Sequence, residues 1–307
     1  MEHADETLIP AKPAGSINSL AALLNATVRH PAAWLFAGLY LLAVIYLLVT
    51  HHANLLLFTL TQWCFTIIGL LIVLPLTRNA PPPPWEEAPP TSRTRLWLQL
   101  VLCLLVTALA LVAFFALYPS LSKLHLPSFA ISVPFALIVE VIIPLAVVIA
   151  LGANLRELGF GPGYRSWLVA GVLCLIILLA IAVILIGGWA APGTVLLGTI
   201  PSFLTAGLPE ETLFRGILMT RLCRLFGTPW GISLSALLFG LFHLGANMTG
   251  RDLGTALAIC IISQAVGGLG AAIVFLRTRN ILASVLVHGM GDTLSLPLVK
   301  LLQPFLR

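Results

Sequence analysis

The chain has 307 residues, of which 59% are hydrophobic and only 9% are charged. Soluble domains carry about 25% charged residues, and a soluble domain of this length could not bury so much apolar surface. The composition therefore indicates a protein embedded in lipid. The net charge of +5 comes from cations between the apolar stretches and does not indicate nucleic-acid binding.

Successive apolar stretches along the chain are long enough to cross a bilayer, which takes about 20 residues each. They number about nine and cover approximately residues 32–50, 54–76, 96–117, 128–151, 167–187, 195–219, 230–247, 254–276 and 281–303. The sequence therefore predicts an all-α, polytopic transmembrane helix bundle of about 8–9 spans.

Lysine and arginine residues are distributed unevenly between the two sides of this predicted bundle. If nine spans alternate, eleven cations fall on one side: Lys12, Arg29, Arg78, Arg93, Arg95, Arg156, Arg165, Arg221, Arg224, Arg277 and Arg279. The other side has only Lys123, Arg251, Lys300 and Arg307. Because cytoplasmic loops are enriched in these residues, we expect a cytoplasmic N-terminus. We expect a multi-pass protein of a bacterial or archaeal inner (plasma) membrane.

A proline-rich segment, residues 78–95, separates the first two spans from the others. Its four consecutive prolines, Pro81–Pro84, predict an extended, exposed cytoplasmic loop. We therefore divide the chain into residues 1–30 (a cytoplasmic N-terminal segment), 31–77 (two leading transmembrane helices), 78–95 (the loop) and 96–307 (a transmembrane core).

Several polar side chains lie inside the apolar stretches, where a charge near the bilayer centre costs about 2.5–3.5 kcal/mol. They are Glu140, Glu210, Glu211, Arg215, His243, Asn247, His288 and Asp292. Seven of these eight fall between residues 210 and 292, and this concentration predicts a functional site in the last third of the chain. Glu140 has no polar partner on its own helix, so we expect it to contact another helix.

Residues four positions apart share one face of a helix, and three such pairs occur: Glu211 with Arg215, His243 with Asn247, and His288 with Asp292. An ion pair between Glu211 and Arg215 leaves Glu210, about 100° round the helix, without a partner in its own segment. A carboxylate of that kind is suited to act as a general base. Each pair could instead serve only to bind helices together.

The depths of three of these side chains in the bilayer are similar. At about 1.5 Å per residue, Glu210 lies roughly 15 Å from the cytoplasmic end of its span. By the same rise, His243 lies roughly 20 Å and His288 roughly 10–12 Å from the starts of their spans. We therefore expect one membrane-embedded cluster nearer the cytoplasmic side.

The residues of this cluster can hydrolyse an amide by direct attack of water. A glutamate with a histidine can polarise water, and a histidine with an asparagine or aspartate can stabilise an oxyanion. The sequence has no HExxH zinc motif and no GxSG serine motif. Gly289–Asp292 matches the GxGD pattern of presenilin-like aspartyl proteases, but the only other aspartates, Asp5 and Asp252, lie in polar flanks.

Three motifs occur in order in separate apolar stretches: Glu210-Glu211-x-x-x-Arg215, Phe239-x-x-x-His243 and His288-x-x-x-Asp292. Together they resemble the CPBP family, which contains the Ras-converting CAAX endoprotease and bacterial bacteriocin-processing or self-immunity proteins. The resemblance covers approximately residues 150–300, with a weaker similarity at Arg156–Phe160.

The resemblance implies a glutamic-type peptidase, with residues 96–307 as its protease core and the catalytic motifs in 208–292. It implies that Glu210 with His243 activates the water and that His288 with Asp292 forms the oxyanion-stabilising pair. The eukaryotic CAAX enzyme has an asparagine at the position of Asp292. An aspartate donates a hydrogen bond only when protonated, so we expect Asp292 to orient His288. The supporting residues that the resemblance implies are Glu211, Arg215, Phe239 and Asn247.

The sequence therefore predicts an intramembrane endopeptidase that acts on a membrane-anchored protein or peptide, with the lipid bilayer as its surroundings. No cofactor is expected, although Glu210, His243 and His288 could ligate zinc. One alternative is a non-catalytic bacteriocin self-immunity or substrate-binding membrane protein of the same fold. Another is a proton-coupled transporter, which is disfavoured because the ionisable residues follow a peptidase order rather than a repeat in two halves.

Reporter fusions test the predicted orientation. We expect alkaline phosphatase fused to the C-terminus to be active and green fluorescent protein fused there to be dark, because nine alternating spans that start in the cytoplasm end outside. The same reporters inserted in the loop at residues 78–95 should give the opposite result. Fluorescence at the C-terminus would contradict the orientation or the number of spans.

Overall fold

The computed structural model describes residues 29–121, 123, 126–188 and 191–302. Over these ranges the chain is predominantly helical and contains no β-strand. The predicted N-terminal segment, residues 1–30, lies almost entirely outside the described residues, as do Lys12 and Arg307.

Nine long helices follow one another in the described ranges, and we number them in chain order. They are α1 (Pro31–Val49), α2 (Leu56–Leu76), α3 (Arg93–Leu121), α4 (residues 128–150), α5 (Ser166–Ile186), α6 (residues 192–226), α7 (Thr228–Phe242), α8 (Leu253–Thr278) and α9 (Ile281–Leu302). A short 3₁₀ turn, Ala53–Leu55, precedes α2, and a one-turn helix, Leu244–Asn247, follows α7.

Five of the helices contain segments that are long and apolar enough to cross a membrane: Pro31–Val49, Arg93–Ala113, Phe129–Ala150, Ser166–Ile186 and Leu253–Thr278. Three shorter apolar segments are Gln62–Leu76, Thr228–Phe242 and Ile281–Asp292. The predicted all-α helical membrane bundle is confirmed. The predicted count of about 8–9 spans, their orientation and the division into segments stay predictions.

Helix α8 lies at the centre of the bundle. Within its most apolar window 67% of the residues are buried inside the protein, against 22–28% in the other four candidate spans. It packs along α2, α7 and α9, and α6 packs on α7. The outer helices expose large apolar side chains such as Trp34, Val112 and Trp167, as lipid contact requires. The polar cluster thus lies among the inner helices.

Three helices contain π-helical turns, in which the backbone hydrogen bonds skip one residue more than in an α-helix. They occur at Leu137–Ile142 in α4, at Phe203–Gly207 and Thr212–Met219 in α6, and at Cys260–Ala265 in α8. A proline cannot donate to the carbonyl four residues earlier. Pro144 and Pro209 therefore free carbonyls within the first two of these turns. Such turns are frequent at functional sites.

The C-terminal end of α6 is anchored by Glu157, which belongs to the segment Arg156–Phe160. The Glu157 carboxylate lies 2.9 Å from Arg221 Nη2 and 2.7 Å from Arg224 Nη1. Arg221 also donates to Gln99 Oε1 on α3 at 2.7 Å. This network fixes the end of α6 against α3 and the loop before α5.

The proline-rich loop is not fully exposed, contrary to the prediction. Trp85 is 4% exposed, and its ring stacks on Phe275 of α8 with the centroids 6.2 Å apart. The Pro89 carbonyl accepts a hydrogen bond of 2.7 Å from Arg224 Nη2. The prediction was wrong because it considered the prolines alone, whereas a tryptophan ring gains free energy when it is buried.

Helices α7 and α8 approach each other most closely at Gly240. A Cβ atom at this position would lie 2.5 Å from the Cys260 carbonyl oxygen and 3.0 Å from Ala265 Cβ. Small residues of this kind allow helices in membranes to pack backbone against backbone. Gly240 therefore determines how closely His243, three residues later, lies to α8.

We expect Gly240→Ala to lower the free energy of unfolding by about 1–3 kcal/mol, because the added methyl group overlaps backbone atoms that cannot move freely. The measurement is thermal unfolding of the purified protein in detergent. Gly171→Ala on α5 is the matched control, since no atom lies within 4 Å of its added Cβ. Equal melting temperatures for both variants would contradict the close approach.

Candidate active site

Glu211 and Arg215 form an ion pair across one turn of α6. Arg215 Nη1 lies 2.8 Å from Glu211 Oε1, and the side chains are 1% and 0% exposed. Arg215 Nη2 also donates to the Gly268 carbonyl on α8 at 3.0 Å. The guanidinium carbon lies 4.3 Å from the ring centroid of Phe239 on α7. The ion pair therefore connects α6 with α7 and α8.

His288 of α9 contacts the same carboxylate. Its Nδ1 lies 2.9 Å from Glu211 Oε1, and an ionised carboxylate only accepts hydrogen bonds, so Nδ1 is the donor. The other ring nitrogen, Nε2, lies 3.8 Å from Glu210 Oε2 and 3.7 Å from Asp292 Oδ2. His288 is thus oriented by Glu211 and directs Nε2 towards Glu210.

His243 lies at the C-terminal end of α7 and approaches Glu210 from another side. Its Nδ1 lies 2.9 Å from the Phe239 carbonyl oxygen, and because a carbonyl only accepts, Nδ1 carries the proton. Its Nε2 lies 3.6 Å from Glu210 Oε2. Two imidazoles from different helices therefore direct their Nε2 atoms at one carboxylate oxygen.

Glu210 is the carboxylate on which both histidines converge. It lies between the two π-helical turns of α6 and is 7% exposed. Within the described residues its Oε2 has no hydrogen-bond partner. The neighbouring Glu211 is held by an arginine, whereas Glu210 Oε2 is approached by two imidazole nitrogens.

Asp292 and Asn247, two further predicted site residues, have different surroundings. Asp292 lies one turn after His288 and accepts a hydrogen bond of 3.3 Å from Ser202 Oγ on α6. Asn247 is turned towards α8, where its Nδ2 lies 3.3 Å from Gln264 Oε1 and 3.3 Å from Cys260 Sγ. The structure thus brings Asp292 to the cluster but directs Asn247 to α8. Nothing in the local sequence indicated Ser202.

Glu140 in the π-helical turn of α4 is a third buried glutamate near the site. Its side chain is 5% exposed, and it interacts electrostatically with Glu210 and His288. The turn that carries it packs on Leu208–Glu211 of α6. The expected contact of this segment with another helix is therefore made with α6, on the α4 side of Glu210.

A cavity of about 170 Å³ adjoins the cluster. One wall consists of cluster residues, namely Glu211, Arg215, Phe239, His243, His288 and Asp292. The lining also includes residues of α2 and α8, among them Gln62, Thr66, Gln264 and Gly267. The two glutamines are not among the predicted site residues, although an amide inside an apolar stretch is the same kind of signal as Asn247. Glu210 lies behind the imidazoles rather than on the cavity wall.

The second aspartate that an aspartyl protease needs is not supplied by Asp252. Asp252 caps the N-terminus of α8, where its carboxylate accepts hydrogen bonds from Thr255 Oγ1 at 2.6 Å and Thr255 N at 3.0 Å. These hydrogen bonds from Thr255 hold the pKa of the Asp252 carboxyl well below its usual range. Asp252 is therefore used structurally, as its polar flank suggested.

Glu210, His243 and His288 supply carboxylate oxygen and imidazole nitrogen, which are atoms that zinc binds. Glu210 Oε2 lies 3.6 Å from His243 Nε2 and 3.8 Å from His288 Nε2. Among the described residues, no group of three or more His, Cys, Asp or Glu side chains is arranged to hold a metal ion. That the protein needs no metal stays a prediction.

The fold and the cluster together define a helical membrane protein with the groups of a hydrolase. Residues 192–294 match the family model for Type II CAAX prenyl endopeptidase Rce1-like proteins. The chain thus contains an Rce1-like domain, and the predicted resemblance to the CPBP family of CAAX proteases is confirmed. The matched residues make up about a third of the chain, and the family that the model describes is one of CAAX prenyl endopeptidases. No curated protein and no solved structure matches the chain significantly.

We expect Arg215→Ala to destabilise the protein by about 3–5 kcal/mol, because it leaves the Glu211 carboxylate buried without its cation. The double variant Glu211→Gln/Arg215→Met removes both charges and nearly preserves the side-chain volume. It should therefore lower the free energy of unfolding by less than Arg215→Ala does. Thermal unfolding in detergent measures both. Arg251→Ala, at an exposed position, is the control. If the double variant is the less stable of the two, the electrostatic account is contradicted.

Proposed function

We propose that the protein is an intramembrane endopeptidase that hydrolyses a peptide bond of a membrane-associated protein or peptide with a water molecule activated by Glu210. The observation that carries the proposal is the convergence of His243 Nε2 and His288 Nε2 on Glu210 Oε2, at 3.6 and 3.8 Å. The Rce1-like domain supports the same class of reaction.

The arrangement of these three atoms suits a bridging water molecule. The distances of 3.6 and 3.8 Å are too long for direct hydrogen bonds, but a water about 2.8 Å from each atom can bridge them. Such a water donates one proton to Glu210 Oε2 and the other to His243 Nε2. A lone pair of its oxygen is then available to attack a carbonyl that enters from the cavity.

Attack forms a C–O bond while Glu210 takes the proton of the water, and negative charge develops on the carbonyl oxygen. His288 stabilises this oxyanion as an imidazolium that donates from Nε2. The carboxylates of Glu211 and Asp292, at 2.9 and 3.7 Å from its ring nitrogens, offset the positive charge. When the C–N bond breaks, Glu210 returns the proton to the departing amine.

The remaining residues of the cluster hold these groups in position. Arg215 fixes Glu211, Glu211 fixes His288 through Nδ1, and the Phe239 carbonyl fixes His243 through Nδ1. Asp292, held by Ser202 Oγ, lies beside His288 Nε2 and orients the ring. Glutamate supplies the general base in this mechanism, and no step needs a metal ion.

We expect Glu210→Gln to lower cleavage of a membrane-anchored CAAX peptide by at least about 10²-fold, since the amide cannot take a proton from water. The measurement is product formation by purified protein, with and without a chelator, and the chelator should change nothing. Glu87→Gln is the matched control, because Glu87 lies in the proline-rich loop, pairs with Arg279 and is 47% exposed.

Equal cleavage by the wild type and Glu210→Gln would contradict the role of Glu210. If neither cleaves the peptide but both bind it, a non-catalytic binding protein replaces the peptidase. Loss of activity with chelator, restored by zinc, would contradict the metal-free mechanism.

A further inference from the structure

The lining of the cavity includes two carboxamide side chains from different helices. Gln62 comes from α2, which lies outside the Rce1-like domain, and Gln264 comes from the π-helical turn of α8. Both line the same cavity as His243 and His288. The cavity therefore has polar groups beyond those of the Glu210 cluster.

Gln62 occupies a position where a carboxamide raises the free energy of the protein unless it has a hydrogen-bond partner. It lies in the apolar segment Gln62–Leu76, and no hydrogen bond engages its side chain within the described part of the chain. An amide in an apolar environment costs about 1–3 kcal/mol when it has no partner. Gln62 Oε1 lies 2.9 Å from where a Cβ of residue 267 would be, so the glycine at 267 leaves room for the amide in this position.

Gln264 is held in place by Asn247. Its Oε1 accepts a hydrogen bond of 3.3 Å from Asn247 Nδ2, which leaves the NH₂ group of Gln264 as a donor beside the cavity. Asn247 thereby acts as a positioning residue, although it does not reach the Glu210 cluster. The two glutamines together present both donors and acceptors.

A peptide that is hydrolysed within a membrane needs such partners. Its scissile segment must be extended rather than helical, so its backbone N–H and C=O groups lose their internal hydrogen bonds, and each unsatisfied group in lipid costs several kcal/mol. A carboxamide offers the same donor and acceptor types as the peptide group itself. A lipid chain would need neither, and an ionic ligand would need a charge that the glutamines lack.

We infer that Gln62 and Gln264 form a subsite that hydrogen-bonds the backbone of an extended substrate peptide in the cavity that His243 and His288 also line. The inference rests on the proposed function and assigns part of substrate recognition to α2. Because the subsite is inferred to bind the peptide and not to cleave it, the test measures the affinity of the protein for the peptide.

The test measures how tightly the full chain in nanodiscs binds a prenylated CAAX peptide. It compares this parent peptide with analogues in which one non-scissile amide is replaced by an ester. The Glu210→Gln background is used so that cleavage does not interfere. We expect the ester to weaken binding about fivefold at one position at least, as the loss of one hydrogen bond does. In the Gln62→Leu or Gln264→Leu variant, the parent peptide and that ester should bind equally.

Thr59→Val is the matched control, because Thr59 is a polar residue of α2 that bonds the Ile262 carbonyl at 2.7 Å and lies outside the cavity. It should keep the fivefold difference. Gly267→Ala is a second variant in case Gln62→Leu does not fold. It retains Gln62 but displaces its side chain, so it should reduce the difference in affinity between the parent peptide and the ester.

The inference is overturned if the difference in affinity between amide and ester persists in both glutamine variants. It is also overturned if no ester position weakens binding to the parent protein, or if the parent protein does not bind the peptide at all. Cleavage that survives Glu210→Gln, with the glutamine effect intact, overturns the proposed mechanism but leaves the subsite.

Discussion

The structure of the site depends on one buried ion pair, between Glu211 and Arg215. A lone charge in a membrane interior is strongly unfavourable, so each of these side chains requires the other. Arg215 extends the pair to the Gly268 carbonyl on α8 and to the ring of Phe239 on α7. Glu211 extends it to His288 on α9. Four helices are thereby fixed relative to one another at the depth where the histidines lie.

The same ion pair separates the roles of two adjacent glutamates. Successive residues on a helix point about 100° apart, so Glu211 reaches the arginine and Glu210 cannot. Glu210 instead meets the Nε2 atoms of two imidazoles whose Nδ1 atoms are already engaged. π-Helical turns lie before and after the two glutamates. One helix thus holds one carboxylate in an ion pair and directs the next at the two imidazoles.

Predictions from local spacing agree with the structure at Glu211–Arg215 and at His288–Asp292, where the partners are one turn apart. The same spacing did not reveal that Asn247 turns to Gln264, because a shared face does not specify which neighbouring helix lies opposite. The exposed proline-rich loop was predicted wrongly, because burial of Trp85 depends on Phe275, nearly two hundred positions further along the chain. The contact between Glu211 and His288 was likewise invisible to local patterns.

The sequence by itself determined the lipid environment, the helical class, the concentration of polar residues and the family that their order indicates. These follow from composition, stretch length and spacing, which are properties of single segments. Only the tertiary structure decided that His243 and His288 converge on Glu210, that Glu140 lies nearby and that Gln62 from α2 lines the same cavity as the histidines. Those facts depend on how closely helices approach one another. Gly240 and the buried ion pair between Glu211 and Arg215 help to set that approach.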